Sequence, residues 1–136
     1  MSQSLDLTPL QKALDSLAFA VDRTEREKPD DMLRDSVIQR FEYTYELCWK
    51  MLKRRLQLDI PSPEAIDAMS FREMIREGAE RGLIDDPRAW FNYREKRNLT
   101  SHTYDAEIAK DVYQAALAFL NDAKLLLAML QQRNSR

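Results

Sequence analysis

The chain has 136 residues, with 21 Lys and Arg, 23 Asp and Glu, one His and a formal net charge of −2. This length fits one domain with its own core, and a composition of 44% hydrophobic and 32% charged residues is typical of a globular chain rather than a disordered one. Two glycines and five prolines are too few turn residues for a β-sandwich or barrel, and the net charge excludes nucleic-acid binding by bulk charge alone.

The cysteine and histidine counts exclude several kinds of site. Cys48 is the only cysteine, so the chain can form neither an intrachain disulfide nor a cysteine zinc cage. His102 is the only histidine, which argues against a histidine-rich metal site within one chain. We therefore expect no metal and no cofactor. The sequence shows neither a signal-peptide pattern nor an 18-residue apolar stretch, so we expect a cytoplasmic protein with no membrane association.

Apolar residues near the N-terminus recur three and four positions apart, which predicts an amphipathic first helix. The repeating positions are Leu7, Leu10, Leu14, Leu17 and Val21. Residues 8–11 can form a capping box with proline at the first helical position, although Ser4 can equally start the helix one turn earlier. The helix is expected to end near Glu27, because a proline two residues later disfavours helix in the residue before it.

The second predicted helix is the longest and covers residues 31–57, with Asp30 or Asp31 as its N-terminal cap. Its apolar seam consists of Ile38, Phe41, Tyr45, Cys48, Leu52 and Leu56. Two prolines within residues 60–63 break this helix, and residues 62–69 are expected to form a short helical turn.

Two shorter helices are predicted in the middle of the chain. Ser70 and Glu73 form a capping box that opens the third helix, and Gly82 sits where a left-handed residue would end it. Asp86, followed by proline, opens a fourth helix that ends near Arg97.

Thr103 or Asp105 caps a last long helix, which carries an unusually wide apolar band. The band adds Leu120, Leu125, Leu127 and Met129 to the inward-facing set. Such width suggests an oligomer contact as well as a core. Together the segments predict an all-α fold, an up-and-down bundle of four to five helices, with residues 1–136 forming a single helical bundle domain.

Residues 94–105 form a polar junction between two predicted helices and contain the only histidine. Arg97 and His102 are five positions apart, which on an unbroken helix separates them by roughly 140°. They converge only if the chain turns between them, as a cap at Ser101 or Thr103 would allow.

The residue types at this junction suit phosphoryl chemistry. The His102 imidazole can exchange a proton near neutral pH, and the Arg97 guanidinium can bind phosphate oxygens as charge develops on them. Cleavage of RNA by its own 2′-hydroxyl needs such a proton carrier and such a charge clamp. One histidine cannot be acid and base at once, whereas a symmetric dimer would bring two copies to one cleft. The structural alternative is a capping or core histidine beside a solvated helix end.

Two glutamates on the long second helix lie one turn apart. Glu42 and Glu46 can act as paired carboxylates, form core or surface pairs, or make ion pairs with Arg94 or Arg97 that fix the junction. Structural pairing is the more common outcome for such residues, and direct catalysis is the least common.

Aromatic residues on the same helix allow a second pair of interpretations. Tyr43, Tyr45 and Trp49 can stack on a nucleobase, but at this spacing Tyr45 and Trp49 are more often core residues. Residues 88–97 interleave aromatic and basic side chains as RNA-facing surfaces do, although the charge of the surrounding segment is nearly balanced.

Two motifs in the right order resemble a known family. Residues 97–105, RNLTSHTYD, contain R-x4-H-x-Y, the signature of HEPN domains, which are small helical bundles of prokaryotic RNases and nucleotidyltransferase partners. Residues 41–50, FEYTYELCWK, resemble the F-E-x-T-x-E-x-x-W-K signature of the nucleotidyltransferase substrate-binding proteins. That family is related to the helical C-terminal domain of kanamycin nucleotidyltransferase. The resemblance covers roughly residues 5–130.

The resemblance implies a homodimeric helical bundle that partners a small nucleotidyltransferase encoded nearby, in a toxin–antitoxin module. In related HepT-type toxins the Arg and His cleave RNA, and the partner silences them by transferring AMP to the Tyr of the motif. Carried over, Arg97 and His102 are the catalytic residues with Asn98 as a supporting polar group, and Tyr104 is the AMP acceptor. Supporting residues of the site are Glu42, Glu46 and Asp105.

The sequence lacks the metal-binding motif of nucleotidyltransferases. Such enzymes hold two Mg²⁺ ions with a Gly-Ser turn followed by a D-x-D pair, whereas Asp85 and Asp86 are adjacent, and Asp86 is better explained as a helix cap. The sequence therefore leaves two functions open: a binding subunit of a nucleotidyltransferase, or a metal-independent endoribonuclease controlled by that partner.

Overall fold

Six α-helices and one short 3₁₀ helix follow one another in the computed structural model, which describes residues 4–135. The α-helices are α1 (Thr8–Arg26), α2 (Asp31–Asp59), α3 (Pro63–Asp67), α4 (Phe71–Glu80), α5 (Pro87–Arg97) and α6 (Ala106–Asn134). The 3₁₀ helix, Thr100–His102, lies between α5 and α6. No strand occurs in this part of the chain, so the predicted all-α bundle is confirmed; the short segment after the proline break adds a further helix to it.

The three long helices α1, α2 and α6 pack against one another, and α5 packs on α6. The connection between α1 and α2 is short, which makes these neighbours antiparallel. Edge-to-face aromatic contacts tie the helices together: Phe119 of α6 lies 5.1 Å from Phe41 of α2 and 5.3 Å from Tyr93 of α5, measured between ring centroids. The core therefore fixes the end of α5 relative to the long helices.

Four predicted helix starts are confirmed by their capping hydrogen bonds. The carboxylates of Asp30, Asp86 and Asp105 accept backbone N–H groups at the starts of α2, α5 and α6. Ser70 and Glu73 form the reciprocal capping box of α4. Two residues were candidates for the N-terminal cap of α2 and of α6. Asp30 rather than Asp31 caps α2, and Asp105 rather than Thr103 caps α6.

The predicted capping box of α1 is wrong, although the helix begins within one residue of the expected start. The helix begins at Thr8 with Leu7 at the N-cap position and no side-chain capping bond, so residues 8–11 form no capping box, and the start at Ser4 is not used either. Instead, the Asp6 carboxylate accepts the Thr8 backbone N–H at 3.0 Å. This bond lowers the pKa of Asp6 below its ordinary value, because it favours the ionised carboxylate.

The wide apolar band of α6 is mostly buried within the chain. Leu120 and Leu127 belong to the core, Met129 is partly buried against it, and only Leu125 is largely exposed, at 53%. The band is wide because α6 packs against α1, α2 and α5 at once. Its width therefore gives no support for the oligomer contact that it suggested. Between residues 4 and 135, no helix combines the length and the hydropathy needed to cross a membrane.

Candidate functional site

The junction between α5 and α6 is a tight turn. The Thr100 hydroxyl donates to the backbone carbonyl of Arg97 at 2.8 Å, and the backbone N–H of His102 donates to the carbonyl of Leu99 at 2.9 Å. The last α-helical bond is that of the Asn98 N–H to the Arg94 carbonyl, and from Leu99 onward the chain tightens into 3₁₀ turns. The angular separation expected for an unbroken α-helix therefore does not apply. The predicted turn is present, but neither Ser101 nor Thr103 caps the next helix.

Arg97 is held by an acidic residue of α2. Its Nε atom lies 2.7 Å from Oε1 of Glu46, and each side chain is about one-third exposed, at 35% and 31%. The Nε–H group does not point along this contact and makes no aligned hydrogen bond, so the contact is an ion pair. Of the alternatives open for Glu46, the ion pair that fixes the junction is the one observed. Glu42 forms no ion pair within 4 Å in the described chain.

His102 and Tyr104 both face outward. His102 is exposed, and its ring lies 6.1 Å from the Tyr104 ring, measured between centroids, in an edge-to-face arrangement. Tyr104 is 87% exposed, more than any other large hydrophobic or aromatic side chain that the structure describes. The phenol is thus open to a modifying enzyme, and a group attached to it would lie close to the imidazole.

The two remaining predicted site residues have visible structural roles. Asn98 is the C-terminal cap of α5 and is exposed beside Arg97. Asp105 accepts the backbone N–H groups of Glu107 and Ile108 at 2.9 and 3.2 Å, which fixes the start of α6. Asp105 therefore supports the junction through the backbone.

A groove of about 310 Å³ opens beside the Arg97–Glu46 pair, between α2, α4 and α5. Arg97, Glu46 and Asn98 line one part of it, and Trp49 of α2, Phe71 of α4 and Arg94 of α5 line another. His102 and Tyr104 are not among its lining residues. The predicted residues therefore divide between the groove and the outer surface of the junction.

Phe71 is the groove residue that sequence reasoning missed. The guanidinium carbon of Arg94 lies 4.4 Å from the centre of its ring, which is a cation–π contact between α4 and α5. Phe71 follows the capping serine of α4 and was not among the predicted site residues. No sequence pattern connects it with residues 94–105, because the contact depends on how two short helices pack.

Tyr45 forms the buried end of the groove. The side chain is 3% exposed and its hydroxyl has no hydrogen-bond partner in the described chain. Burial raises the pKa of the Tyr45 phenol well above its ordinary value, an effect that the nearby Arg94 partly offsets. The core interpretation of Tyr45 is thus confirmed, whereas Trp49 is only partly buried and lines the groove.

No group of three or more His, Cys, Asp or Glu side chains within residues 4–135 is arranged to hold a metal ion. Cys48, the one cysteine, is buried, and burial raises the pKa of its thiol.

Comparisons with known proteins support the interpretation of the two motifs. The profile of a family described as nucleotidyltransferase substrate binding protein like matches residues 5–132. A Haemophilus influenzae protein named "Probable ribonuclease HepT" is 40% identical over 98% of this chain and 97% of its own length.

Two solved structures share the fold. One, also from Haemophilus influenzae, was described as revealing the fold of a substrate binding domain of a nucleotidyltransferase; its TM-score is 0.88 at 39% identity, over 93% of this chain and 99% of that chain. A crystal structure of a Thermus thermophilus protein has a TM-score of 0.70 at 30% identity, over 87% of this chain and 98% of that chain. The family resemblance predicted from residues 41–50 and 97–105 is confirmed.

Proposed function

The chain belongs to the family of nucleotidyltransferase substrate-binding-like proteins, and from this premise we propose that it is the helical partner subunit of a small nucleotidyltransferase encoded nearby. The observation that carries the proposal is the family match, which extends over residues 5–132 and so includes every helix packed on the core. In this proposal the protein is a homodimer and forms the toxin half of a two-protein toxin–antitoxin module in the cytoplasm.

Co-purification tests the partner role. The full chain is expressed with the neighbouring small protein that carries the G-S-x-D-x-D motif, and the mixture is analysed by size-exclusion chromatography with light scattering. We expect one complex that contains both chains, with two copies of this one. Separate elution of the two proteins at micromolar concentration would contradict the proposal.

A second candidate function is metal-independent cleavage of RNA. It is favoured by the 40% identical relative named as a probable ribonuclease. Arg97 and His102 stand at the two ends of the turn between α5 and α6. The segment also has Asn98 beside Arg97, the supporting polar group that the family resemblance implies. The two functions are compatible, because a toxin held by its antitoxin is also a binding subunit.

The chemistry of the second function needs two copies of the junction. In one copy the His102 imidazole takes the proton of a ribose 2′-hydroxyl, whose oxygen attacks the adjacent phosphorus. In the other copy the His102 imidazolium gives a proton to the departing 5′-oxygen as the phosphorus–oxygen bond breaks. The products are a 2′,3′-cyclic phosphate and a 5′-hydroxyl. Arg97 stabilises the negative charge that builds up on the non-bridging oxygens.

Control by the partner would act on Tyr104. The nucleotidyltransferase joins the Tyr104 phenol oxygen to the α-phosphorus of ATP, pyrophosphate leaves and the phenol proton is lost. The attached AMP adds a negative charge and a bulky group beside the His102 ring, which is 6.1 Å from the phenol ring. The charge would repel RNA from the junction, and the bulk of the AMP group would block access to His102.

Growth assays separate the two functions. Expression of this chain without its partner is expected to arrest growth if it cleaves RNA, and Arg97→Ala or His102→Ala should each relieve the arrest. A binding subunit without ribonuclease activity would not affect growth as the wild type, as Arg97→Ala or as His102→Ala. That outcome would contradict the ribonuclease proposal and leave the partner role unaffected.

A further inference from the structure

The groove beside Arg97 has a positive charge although the chain as a whole is acidic. Its lining includes the cations Lys53, Arg94 and Arg97 and one carboxylate, that of Glu46, whereas the chain has a formal net charge of −2. Glu46 pairs with Arg97, and Asp67 pairs with Lys53 at 3.4 Å, so the positive charge left unbalanced is that of Arg94. Arg94 has no carboxylate within 4 Å in the described chain, and it is held in place by stacking on Phe71. A guanidinium positioned without an acidic partner is free to bind an anion.

Aromatic and aliphatic side chains line the part of the groove that contains Arg94. Trp49 and Phe71 meet edge to face, with ring centroids 6.3 Å apart, and both are only partly buried against the core. Ile66, Met69 and Met74 also line this part. Exposed ring surface beside cations is the arrangement on which nucleobases stack. The groove volume of about 310 Å³ is at the lower end of small-molecule sites, which are about 300–1,000 Å³.

A buried polar atom at the inner end of the groove lacks a partner. The Tyr45 hydroxyl makes no hydrogen bond in the described chain, although the residue is almost fully buried. Buried hydroxyls are nearly always satisfied in folded proteins. The hydroxyl is closed off from solvent, so a ligand would supply the missing partner by displacing the side chains that cover it.

We propose that this groove binds one nucleotide, with its phosphate at Arg94 and Arg97, its base against Trp49 and Phe71, and a polar edge at the Tyr45 hydroxyl. The nucleotide can be free or can be one unit of an RNA strand, since both offer the same phosphate and base. This inference rests on the proposed function, because binding one nucleotide of an RNA strand in the groove would place the strand beside the α5–α6 junction. Binding itself does not require cleavage.

Fluorescence titration tests the proposal with the full chain. Trp49 lines the groove and Trp90 is buried in the core, so a ligand in the groove is expected to change mainly the Trp49 signal. The probes are adenosine and uridine 5′-monophosphate for the free nucleotide, and a five-residue 2′-O-methyl RNA, which cannot be cleaved, for the strand. Saturable binding of the monophosphates supports a free-nucleotide site, and binding of the oligonucleotide alone supports an RNA subsite.

Matched variants identify the residues that bind. Arg94→Ala should weaken binding at least tenfold, whereas Arg88→Ala, on the same helix but outside the groove, should change it less than twofold. Tyr45→Phe should weaken binding several-fold without lowering stability. The absence of saturable binding by any probe, or equal affinities of the wild type and Arg94→Ala, would overturn the proposal.

Two further outcomes separate this proposal from the others. His102→Ala, whose site lies outside the groove, is expected to lose RNA cleavage and keep nucleotide binding. Cleavage that persists in a protein with no nucleotide binding would overturn the groove proposal alone. If Arg94→Ala instead dissociates a dimer and no probe binds, a second copy of the chain covers the groove, and the nucleotide proposal is overturned.

Discussion

The Nε atom of Arg97 lies 2.7 Å from the Oε1 atom of Glu46, so the last residue of α5 is tied to the middle of α2 by an ion pair. Arg97 is thereby held at the point where the chain turns toward His102. A catalytic guanidinium needs such a support, because a long side chain at a helix end otherwise samples many rotamers. In this account Glu46 is a positioning residue and does not itself touch RNA.

Replacing Glu46 by Gln should lower RNA cleavage by about 10- to 100-fold, because Arg97 loses the charge that orients it. The unfolding free energy should change by less than about 1 kcal/mol, since the pair is partly exposed. Initial cleavage rates and urea unfolding measure the two effects. Glu95→Gln, at an exposed position of α5 without an ion pair in the described chain, is the control and should leave cleavage unchanged.

Tyr104→Phe should abolish AMP transfer by the partner and leave RNA cleavage intact, because only the acceptor oxygen is removed. The measurement is the mass of the chain after incubation with the nucleotidyltransferase and ATP. Tyr43 is also exposed, at 38%, and Tyr43→Phe should be modified as the wild type is. Modification of Tyr104→Phe at an undiminished rate would place the acceptor elsewhere.

The two buried phenols should respond oppositely to loss of the hydroxyl. Tyr45 has no hydrogen-bond partner in the described chain, so Tyr45→Phe should leave stability unchanged or raise it by up to about 1 kcal/mol. Tyr93 donates to the Asp122 carboxylate, so Tyr93→Phe should cost about 1.5–3 kcal/mol. Urea unfolding at neutral pH distinguishes the two, and equal losses would contradict the difference in partnering.

Alkaline pH should destabilise the fold. Burial raises the pKa of Tyr45, Tyr93 and Cys48, so the folded chain keeps protons that the unfolded chain releases from about pH 9 to 10. Because the unfolded state then binds fewer protons, the unfolding free energy falls as the pH rises above that range, and this contribution is fully present below it. Tyr45→Phe should lose stability less steeply than the wild type between about pH 9 and 11, a range that urea titrations can cover.

Gly82→Ala should destabilise the protein by about 1 kcal/mol, because Gly82 has a φ of +80° and only glycine adopts this conformation freely. Space does not limit the substitution, since an added Cβ would approach only the Arg133 guanidinium, at 3.4 Å. Gly82→Asn should cost less than Gly82→Ala, because asparagine tolerates the left-handed region. Thermal unfolding of the two variants checks the order.

The sequence predicted best those features that depend on neighbouring residues. The capping box of Ser70 and Glu73, the cap at Asp86 and the left-handed Gly82 each involve only a few consecutive positions, and all were found as expected. The predicted capping box of α1 was wrong because Asp6, just outside the expected box, accepts the first N–H group.

Features that depend on packing between distant segments could be predicted only as alternatives or not at all. The pairing of Glu46 with Arg97 was one of several outcomes that the sequence allowed. The groove was not predicted, because it requires Phe71 of α4 and Arg94 of α5 to meet across two short helices. The wide band on α6 suggested an oligomer contact as well as a core, and burial shows that the chain itself covers most of it.

The most direct test of the account is the cleavage of mixed tRNA by the purified protein in EDTA, with wild type and His102→Ala compared before and after treatment with the partner and ATP. We predict cleavage by the untreated wild type, with cyclic-phosphate ends, and none by His102→Ala or by the treated wild type. Equal cleavage by the wild type and His102→Ala, or no cleavage by a folded wild-type dimer, would contradict the assignment of a ribonuclease centre to the α5–α6 junction.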